Sequence, residues 1–298
     1  MSAVDLKSSD QAFIRDTRTV ISGIFDSVTG FLASESDRQR LNRLRDYILP
    51  GKMLRTRLGM TLCPPDRDIR DLVVRACAAT ELIHTATLFH DDVIDGASMR
   101  RSHETLWKNV GQTGAILMGD LFFSSALQLL TDTGNMQRTA SFVAKVREVC
   151  ATEMIHEIIY RDRVVDTEMC MQVARGKTGP LFAFVSETCG GNDPRLTEIF
   201  EEVGYKIGTA YQLGDDLLDE LGDEVIIGKT LGTDRKRAKF TLAQDCRITT
   251  ESVRERINRL CAEALNMVVP YPEFATRLEL YVISMILPTW ETNLENVG

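Results

Sequence analysis

No proline interrupts the chain between Pro65 and Pro180, and across that interval apolar residues return at steps of three and four. Leu72, Val73, Ala76, Ala79, Leu82, Ile83 and Ala86 form one such stripe; Ile116, Leu117, Leu121, Phe122, Leu127 and Leu130 form another. Phe142, Val143, Val146, Val149, Met154 and Ile158 form a third. Proline removes a backbone donor and clashes with the preceding turn, so its absence permits long helices. The spacing marks one apolar face on each of them. Segments 10–34, 37–49, 167–191, 195–221, 249–267 and 273–296 also read as helical, and no segment alternates as a half-buried strand does. Breaks fall at Pro64 and Pro65, Gly96 to Ser98, Thr131 to Asn135, Gly190 to Pro194 and Gly222 to Lys239. None is long or biased enough for an interdomain linker, and no solenoid-type repeat recurs. The expectation is a single all-α domain over residues 1–298.

Composition narrows the functions such a bundle can serve. Its 35 basic and 43 acidic residues give a net charge of -8, which provides no electrostatic footprint for a nucleic-acid backbone. Seven cysteines, scattered and without C-x-x-C spacing, read as reduced core residues of a cytoplasmic protein. The start of the sequence lacks the basic and apolar regions of a signal peptide. No unbroken apolar run reaches the roughly 18 residues of a membrane span.

Two distant segments repeat one acidic pattern: His90-Asp91-Asp92-Val93-Ile94-Asp95 and Gly214-Asp215-Asp216-Leu217-Leu218-Asp219. On a helix, Asp91 stacks with Asp95 and Asp215 with Asp219. Three carboxylates in one turn repel unless a cation sits among them. Oxygen ligands suit magnesium, which keeps several waters and accepts substrate phosphates to complete its shell. Both clusters sit among large apolar residues and follow long apolar stretches, whereas solvated acidic turns belong at helix N-termini. Cations stand nearby in sequence: Arg100 and Arg101 after the first cluster, Lys177 in Arg175-Gly-Lys-Thr-Gly-Pro, Lys229 and Lys239 after the second, and Lys52 and Arg55 early in the chain. Arginine forks match phosphate oxygens in pairs, and lysine supplies a point charge. His84 lies two turns before Asp91.

These residues are similar to the trans-type polyprenyl diphosphate synthase family, the isoprenoid chain-elongating enzymes. The resemblance runs from about Pro50 to Leu242. Glu81-Leu-Ile-His-Thr-Ala-Thr-Leu-Phe-His-Asp-Asp-Val-Ile-Asp, followed by Met99-Arg-Arg, is its most specific part. Gly119-Asp120, Lys177-Thr178, Tyr211-Gln-Leu-Gly-Asp-Asp-Leu-Leu-Asp and Gly228-Lys-Thr-Leu-Gly-Thr-Asp extend it in order. The resemblance implies an isoprenoid synthase helix bundle around a central cavity, usually a homodimer. It implies that Asp91, Asp92, Asp95, Asp215 and Asp219 coordinate three magnesium ions on an allylic diphosphate, with Asp216 supporting the second cluster. Arg100, Lys177, Gln212, Lys229 and Lys239 would contact that diphosphate. Lys52, Arg55, His84 and Arg101 would hold isopentenyl diphosphate, with Thr178 and Gln212 near the reacting carbons. The implied reaction is ionisation, condensation and elimination, with the released pyrophosphate taking the proton. No protein base is then required, in keeping with just four histidines.

The pattern is not complete. Where the family has G-G-K-R-x-R-P this chain reads Pro50-Gly-Lys-Met-Leu-Arg-Thr, one basic residue fewer. Ser102 and Glu104 replace the expected Gly and Pro; G-E-x-x-Q becomes Thr152-Glu-Met-Ile-His156; G-K-x-T-L-P becomes Ala238-Lys-Phe-Thr-Leu-Ala243. The last residues, Leu294-Glu-Asn-Val-Gly, lack a basic ending. These changes spare every acidic residue of the clusters and bear on isopentenyl diphosphate instead.

Product length is a steric matter. Thr87 and Ala86, four and five residues before Asp91, lie one turn deeper on its helix and are small, so a tail beyond fifteen carbons, medium to long, is expected. Phe142, with Phe122 and Phe123, is a candidate floor. A short-chain farnesyl or geranylgeranyl diphosphate synthase is the alternative. A class I terpene cyclase, a non-catalytic partner subunit and a helical metal-binding scaffold are further readings.

Overall fold

The computed structural model describes residues 3–47, 51–100, 103–221, 241 and 249–289. Among them the helices are α1 (Ala3–Thr29), α2 (Glu35–Asn42), α3 (Leu54–Leu62), α4 (Arg67–Asp95), α5 (Leu106–Thr131), α6 (Met136–Ile158), α7 (Thr167–Cys189), α8 (Pro194–Leu221), α9 (Thr250–Val268) and α10 (Pro272–Tyr281). Polar residues at the breaks start several of them. Asp66, Asn135, Asp166 and Thr249 each accept a backbone N–H three residues on, satisfying donors that have no partner inside the helix. Gly96 ends α4 at φ 63, the left-handed turn that glycine tolerates.

Three expectations need correction. Met99–Arg100 pairs antiparallel with His103–Glu104, a hairpin whose two-residue arms are too short to show alternation. Gly111 (φ 77) breaks helical geometry inside α5. The expected helix over 273–296 ends at Tyr281 and continues as a π turn, Val282–Ile286, and a 3-10 turn, Leu287–Thr289; residues 290–298 lie outside the described residues.

Helix α7 forms the middle of the bundle. Every residue from Thr178 to Cys189 is buried, between α6 and α8 with α3 and α4 across from them. Glycines set how closely α7 and α8 approach. A Cβ on Gly204 would lie 2.5 Å from Ala183 Cα, and one on Gly208 2.8 Å from Gly179 Cα. Because 204 faces 183 and 208 faces 179, the two helices run antiparallel. The C-terminal end of α8 therefore meets the N-terminal half of α7, at the level where Lys177 also reaches Glu153 near the end of α6. At the opposite end Phe142 packs on Phe184 (4.7 Å between centroids) and Phe200 on Phe274 (5.1 Å). There the nearly inaccessible Glu187 is bonded by Ser141 and flanked by Arg138 at 3.6 Å and Lys145 at 4.0 Å, fastening α6 to α7.

Both α4 and α5 are long and apolar enough, by length and composition, to cross a membrane, which the expectation drawn from unbroken 18-residue apolar runs did not anticipate. The relevant stretch of α4 is mostly buried in the bundle, but only about a third of that of α5 is. The described cysteines are free, and all but Cys150 are buried.

Candidate active site

The first acidic turn closes α4, where the helix dipole is unfavourable to carboxylates. Something else must hold them, and for Asp92 it is Arg100 from the hairpin. Nε and one terminal nitrogen lie 2.8 and 2.7 Å from Asp92 Oδ1, and the Asp92 side chain is almost fully buried. Burial works against the charged guanidinium of Arg100. The bond to Asp92 and the fields of Asp92, Asp91 and Asp215 outweigh it, holding the group above its usual range. Asp215 belongs to the second acidic turn, on α8, so one arginine lies within electrostatic reach of both distant segments.

The Asp91 carboxyl is strongly perturbed. Burial, then the charges of Glu153 and Asp95, push it up to about 7, against the pull of Arg100 and Lys177. A group raised in the folded state binds its proton there more readily than in the unfolded chain. In metal-free protein its stabilising contribution is therefore full below about pH 4 and is lost as pH rises through about 7. Thermal unfolding of wild type and Asp91→Asn across that window should show a slope difference of this sign. Parallel curves would refute the assignment.

The second turn is organised by a relay. Thr178 Oγ1 on α7 donates to Gln212 Oε1, and Gln212 Nε2 donates to Asp216 Oδ1 at 2.8 Å. The relay fixes the orientation of the amide and draws Asp216 toward it, leaving Asp215 half-buried on the Arg100 side and Asp219 buried one turn further on. Lys177 lies 3.1 Å from Glu153 Oε1. Thus Asp91, Asp92, Asp215, Asp216, Arg100, Lys177, Thr178 and Gln212 stand at one end of the bundle, and Asp95 and Asp219 continue the two turns.

Of the residues assigned to the second substrate, Lys52, Arg55 and His84 are described. Arg55, at the start of α3, is buried with its guanidinium carbon 5.0 Å from the centre of the Phe182 ring on α7. Lys52 is exposed in the preceding loop, and its carbonyl accepts from Arg57 Nε at 2.9 Å. His84 is half-buried on α4. Arg101, Lys229 and Lys239 lie outside the described residues. Ala86 is fully buried on the core face of α4, whereas half-buried Thr87 donates to the His84 carbonyl at 2.8 Å. Phe142 is fully buried against Phe184; Phe122 packs between Phe25 and Phe89, and Phe123 stacks on His90.

Two residues beside the clusters went unassigned in the sequence. Glu153 was visible as the acid of the altered G-E-x-x-Q pattern, and it proves to be a further carboxylate acting on Asp91 and Lys177. His90 locks α4 to α5: Nε2 lies 3.1 Å from the Ile116 carbonyl and 3.5 Å from Asp120. Gly119 makes room for that ring, since a Cβ there would fall 2.2 Å from Nε2.

Among the described residues no three His, Cys, Asp or Glu side chains converge as a ready metal cage. The donor set nevertheless suits magnesium: it is all carboxylate, drawn from two helical turns, and leaves coordination for water and phosphate oxygens.

Comparison with known proteins gives a consistent relationship. The family model described as polyprenyl synthetase matches residues 38–266, extending past both ends of the motif-bearing region. The chain is 32% identical over 212 residues to the octaprenyl diphosphate synthase of Escherichia coli (strain K12), covering 70% of this chain and 66% of that protein. It is 31% identical over 211 residues to a short chain isoprenyl diphosphate synthase of Methanothermobacter thermautotrophicus, covering 65% of each. The matches thus span just under two thirds of the length of these curated relatives. Among solved structures, a geranyltransferase from Helicobacter pylori complexed with magnesium and isoprenyl diphosphate superposes with TM-score 0.74 at 19% identity, over 96% of this chain and 98% of that one. At that identity the likeness is one of fold, an all-α isoprenoid synthase bundle.

Proposed function

The chain belongs to the polyprenyl synthetase family, and from that premise we propose that it condenses isopentenyl diphosphate with an allylic diphosphate to a product longer than fifteen carbons. The single observation that carries the proposal is Arg100, clasped to Asp92 of the first acidic turn and within electrostatic reach of Asp215 in the second. Asp91, Asp92, Asp95, Asp215 and Asp219 would hold magnesium, as the magnesium complex of the Helicobacter pylori relative supports. Bound magnesium supplies Lewis-acid stabilisation of the departing diphosphate.

The chain's own residues do the rest. Arg100 and Lys177 both act on Asp91; Arg100 would fork onto the diphosphate oxygens and Lys177 would add a point charge, so negative charge developing on the leaving group meets preorganised cations. Each must exchange a carboxylate partner, Asp92 or Glu153, for phosphate. The Thr178–Gln212 relay, which ends on Asp216 of the second cluster, would face the reacting carbons, where water has to be kept out. Arg55, Lys52 and His84 would hold the diphosphate of the second substrate, and the buried stripe of α4 beneath Asp91 would line the tail.

The products of the named relatives include both octaprenyl and short chains, so the small Ala86 carries the length reading. Incubation with labelled isopentenyl diphosphate and dimethylallyl, geranyl, farnesyl or geranylgeranyl diphosphate, with and without magnesium, tests the activity. Failure with every primer would remove it. In the same assay Ala86→Phe should shorten the product by at least one isoprene unit, because an aromatic ring would fill the space one turn below Asp91; mass spectrometry reads the outcome. The retained second D-D-x-x-D weighs against a terpene cyclase, and retention of both clusters weighs against a non-catalytic subunit.

The proposal includes a homodimer in the cytoplasm. The apolar surface of Ile116 and Leu117 on α5 and Val143 and Ile155 on α6 supports association. A light-scattering mass of one chain would remove that part.

A further inference from the structure

Helix α3 begins without a cap of its own. Met53 holds the N-cap position in the left-handed region (φ 50, ψ 44), and its side chain makes no capping bond. The first turn that follows carries Arg55, with Lys52 just before it, so the orphan N–H groups and the two cations share one short segment. A residue from another helix takes over. Glu81 Oε1 on α4 accepts from the backbone N–H of Thr56 at 3.3 Å and from its hydroxyl at 2.8 Å. Both partners are buried, Thr56 completely and Glu81 to 3% exposure. A carboxylate at a helix N-terminus is favoured by the dipole as well as by the bonds it accepts.

The position of this pair gives it a consequence. Thr56 adjoins Arg55, and Glu81 lies one turn before His84 on the same helix. The bond thus ties the segment bearing two of the cations to the turn bearing the histidine. Two further bonds steady the segment: Tyr281 donates to the Leu54 carbonyl at 2.9 Å, and Arg57 to the Lys52 carbonyl at 2.9 Å. The related pattern has proline where this chain has Thr56, and proline offers neither donor; it has a basic residue where this chain has Met53. A site with one cation fewer depends more on the placement of those that remain.

We propose that the buried Thr56–Glu81 pair is a positioning device that holds Lys52 and Arg55 in register with His84 and so sets the affinity for isopentenyl diphosphate. The inference rests on the function proposed above. Thr56→Val keeps the shape and the N–H but removes the hydroxyl from a carboxylate acceptor. It should raise KM for isopentenyl diphosphate about tenfold, the scale of one charge-assisted hydrogen bond. KM for the allylic primer and kcat should stay within about twofold. Thr56→Ser should restore the wild-type value, and calorimetric binding of isopentenyl diphosphate to the full chain should follow the same order. Glu81→Gln, which keeps an acceptor but no charge, should raise the same KM by a smaller factor and serves if the valine variant does not fold.

An unchanged KM for isopentenyl diphosphate in the folded variant overturns the proposal. So does a parallel decline of every constant with the folded fraction, which would mark the pair as merely structural. Wild-type protein that neither binds nor consumes isopentenyl diphosphate overturns the assigned function and this inference with it. Wild type that does both, alongside an identical valine variant, overturns the inference alone.

Discussion

Asp91→Ala is expected to reduce turnover about a thousand-fold or more while leaving the helical fold in place. Loss of a residue behind a metal ligand commonly costs about ten- to a hundredfold, and loss of the ligand itself costs more. No nearby group can substitute. Asp92 is held by Arg100, Glu153 faces Lys177, and Asp215 acts from the opposite helix. Asp215→Ala should show a defect of similar size, because the turns work as one site. The stability effect runs the other way. Burial and the neighbouring carboxylates already resist ionisation of Asp91, so Asp91→Asn in metal-free buffer above pH 7 should melt no lower than wild type. Activity lost without stability lost separates a working carboxylate from a scaffold carboxylate. Turnover within tenfold of wild type in both variants would dismantle the proposed site.

Gly204→Ala should destabilise the protein by about 3 kcal/mol, the upper part of the range for overpacking a close contact. The added methyl would sit 2.5 Å from Ala183 Cα and 2.6 Å from the Phe182 carbonyl oxygen. Those are backbone atoms, so no rotamer change relieves the clash, and α7 and α8 have to separate. Thr178 and Gln212 bridge the same two helices closer to the acidic turns, so kcat should fall beyond what the folded fraction explains. Gly23→Ala is the control: on α1 an added Cβ meets nothing within 4 Å, and the higher helix propensity of alanine should leave stability unchanged or raise it by about 0.5–1 kcal/mol. Urea denaturation of both variants measures the contrast. Equal midpoints would mean the interhelical contact is looser than described.

Much of this was legible in the residues because the relevant signals are local and periodic. The apolar stripe of α4 marks its buried face, whereas those read for α5 and α6 leave Ile116, Leu117, Leu127, Val143, Met154 and Ile158 exposed. The spacing of Asp91 to Asp95 and of Asp215 to Asp219 follows from helical geometry alone. What stayed hidden depends on packing between elements. Nothing in the one-dimensional pattern says that Arg100 will fold back onto Asp92, since that needs a hairpin of two-residue arms. Glu153 reads as an ordinary helical acid until α6 sets it beside Lys177. Thr56 reads as a lost proline until α4 brings Glu81 against it. The kink at Gly111 escaped because a lone glycine in a helical stretch signals only weak propensity, and its positive φ is a tertiary outcome.

The clasp between Arg100 and Asp92 has one more consequence. Divalent ions are one way to quiet a crowded set of carboxylates, but here a guanidinium from the same chain already answers one of them. Chelation should therefore disarm the protein without unravelling it, with catalysis gone and the far-ultraviolet dichroism preserved. Were metal bound, Asp92 would be among the residues holding it, and Arg100 would be free to turn to the incoming anion.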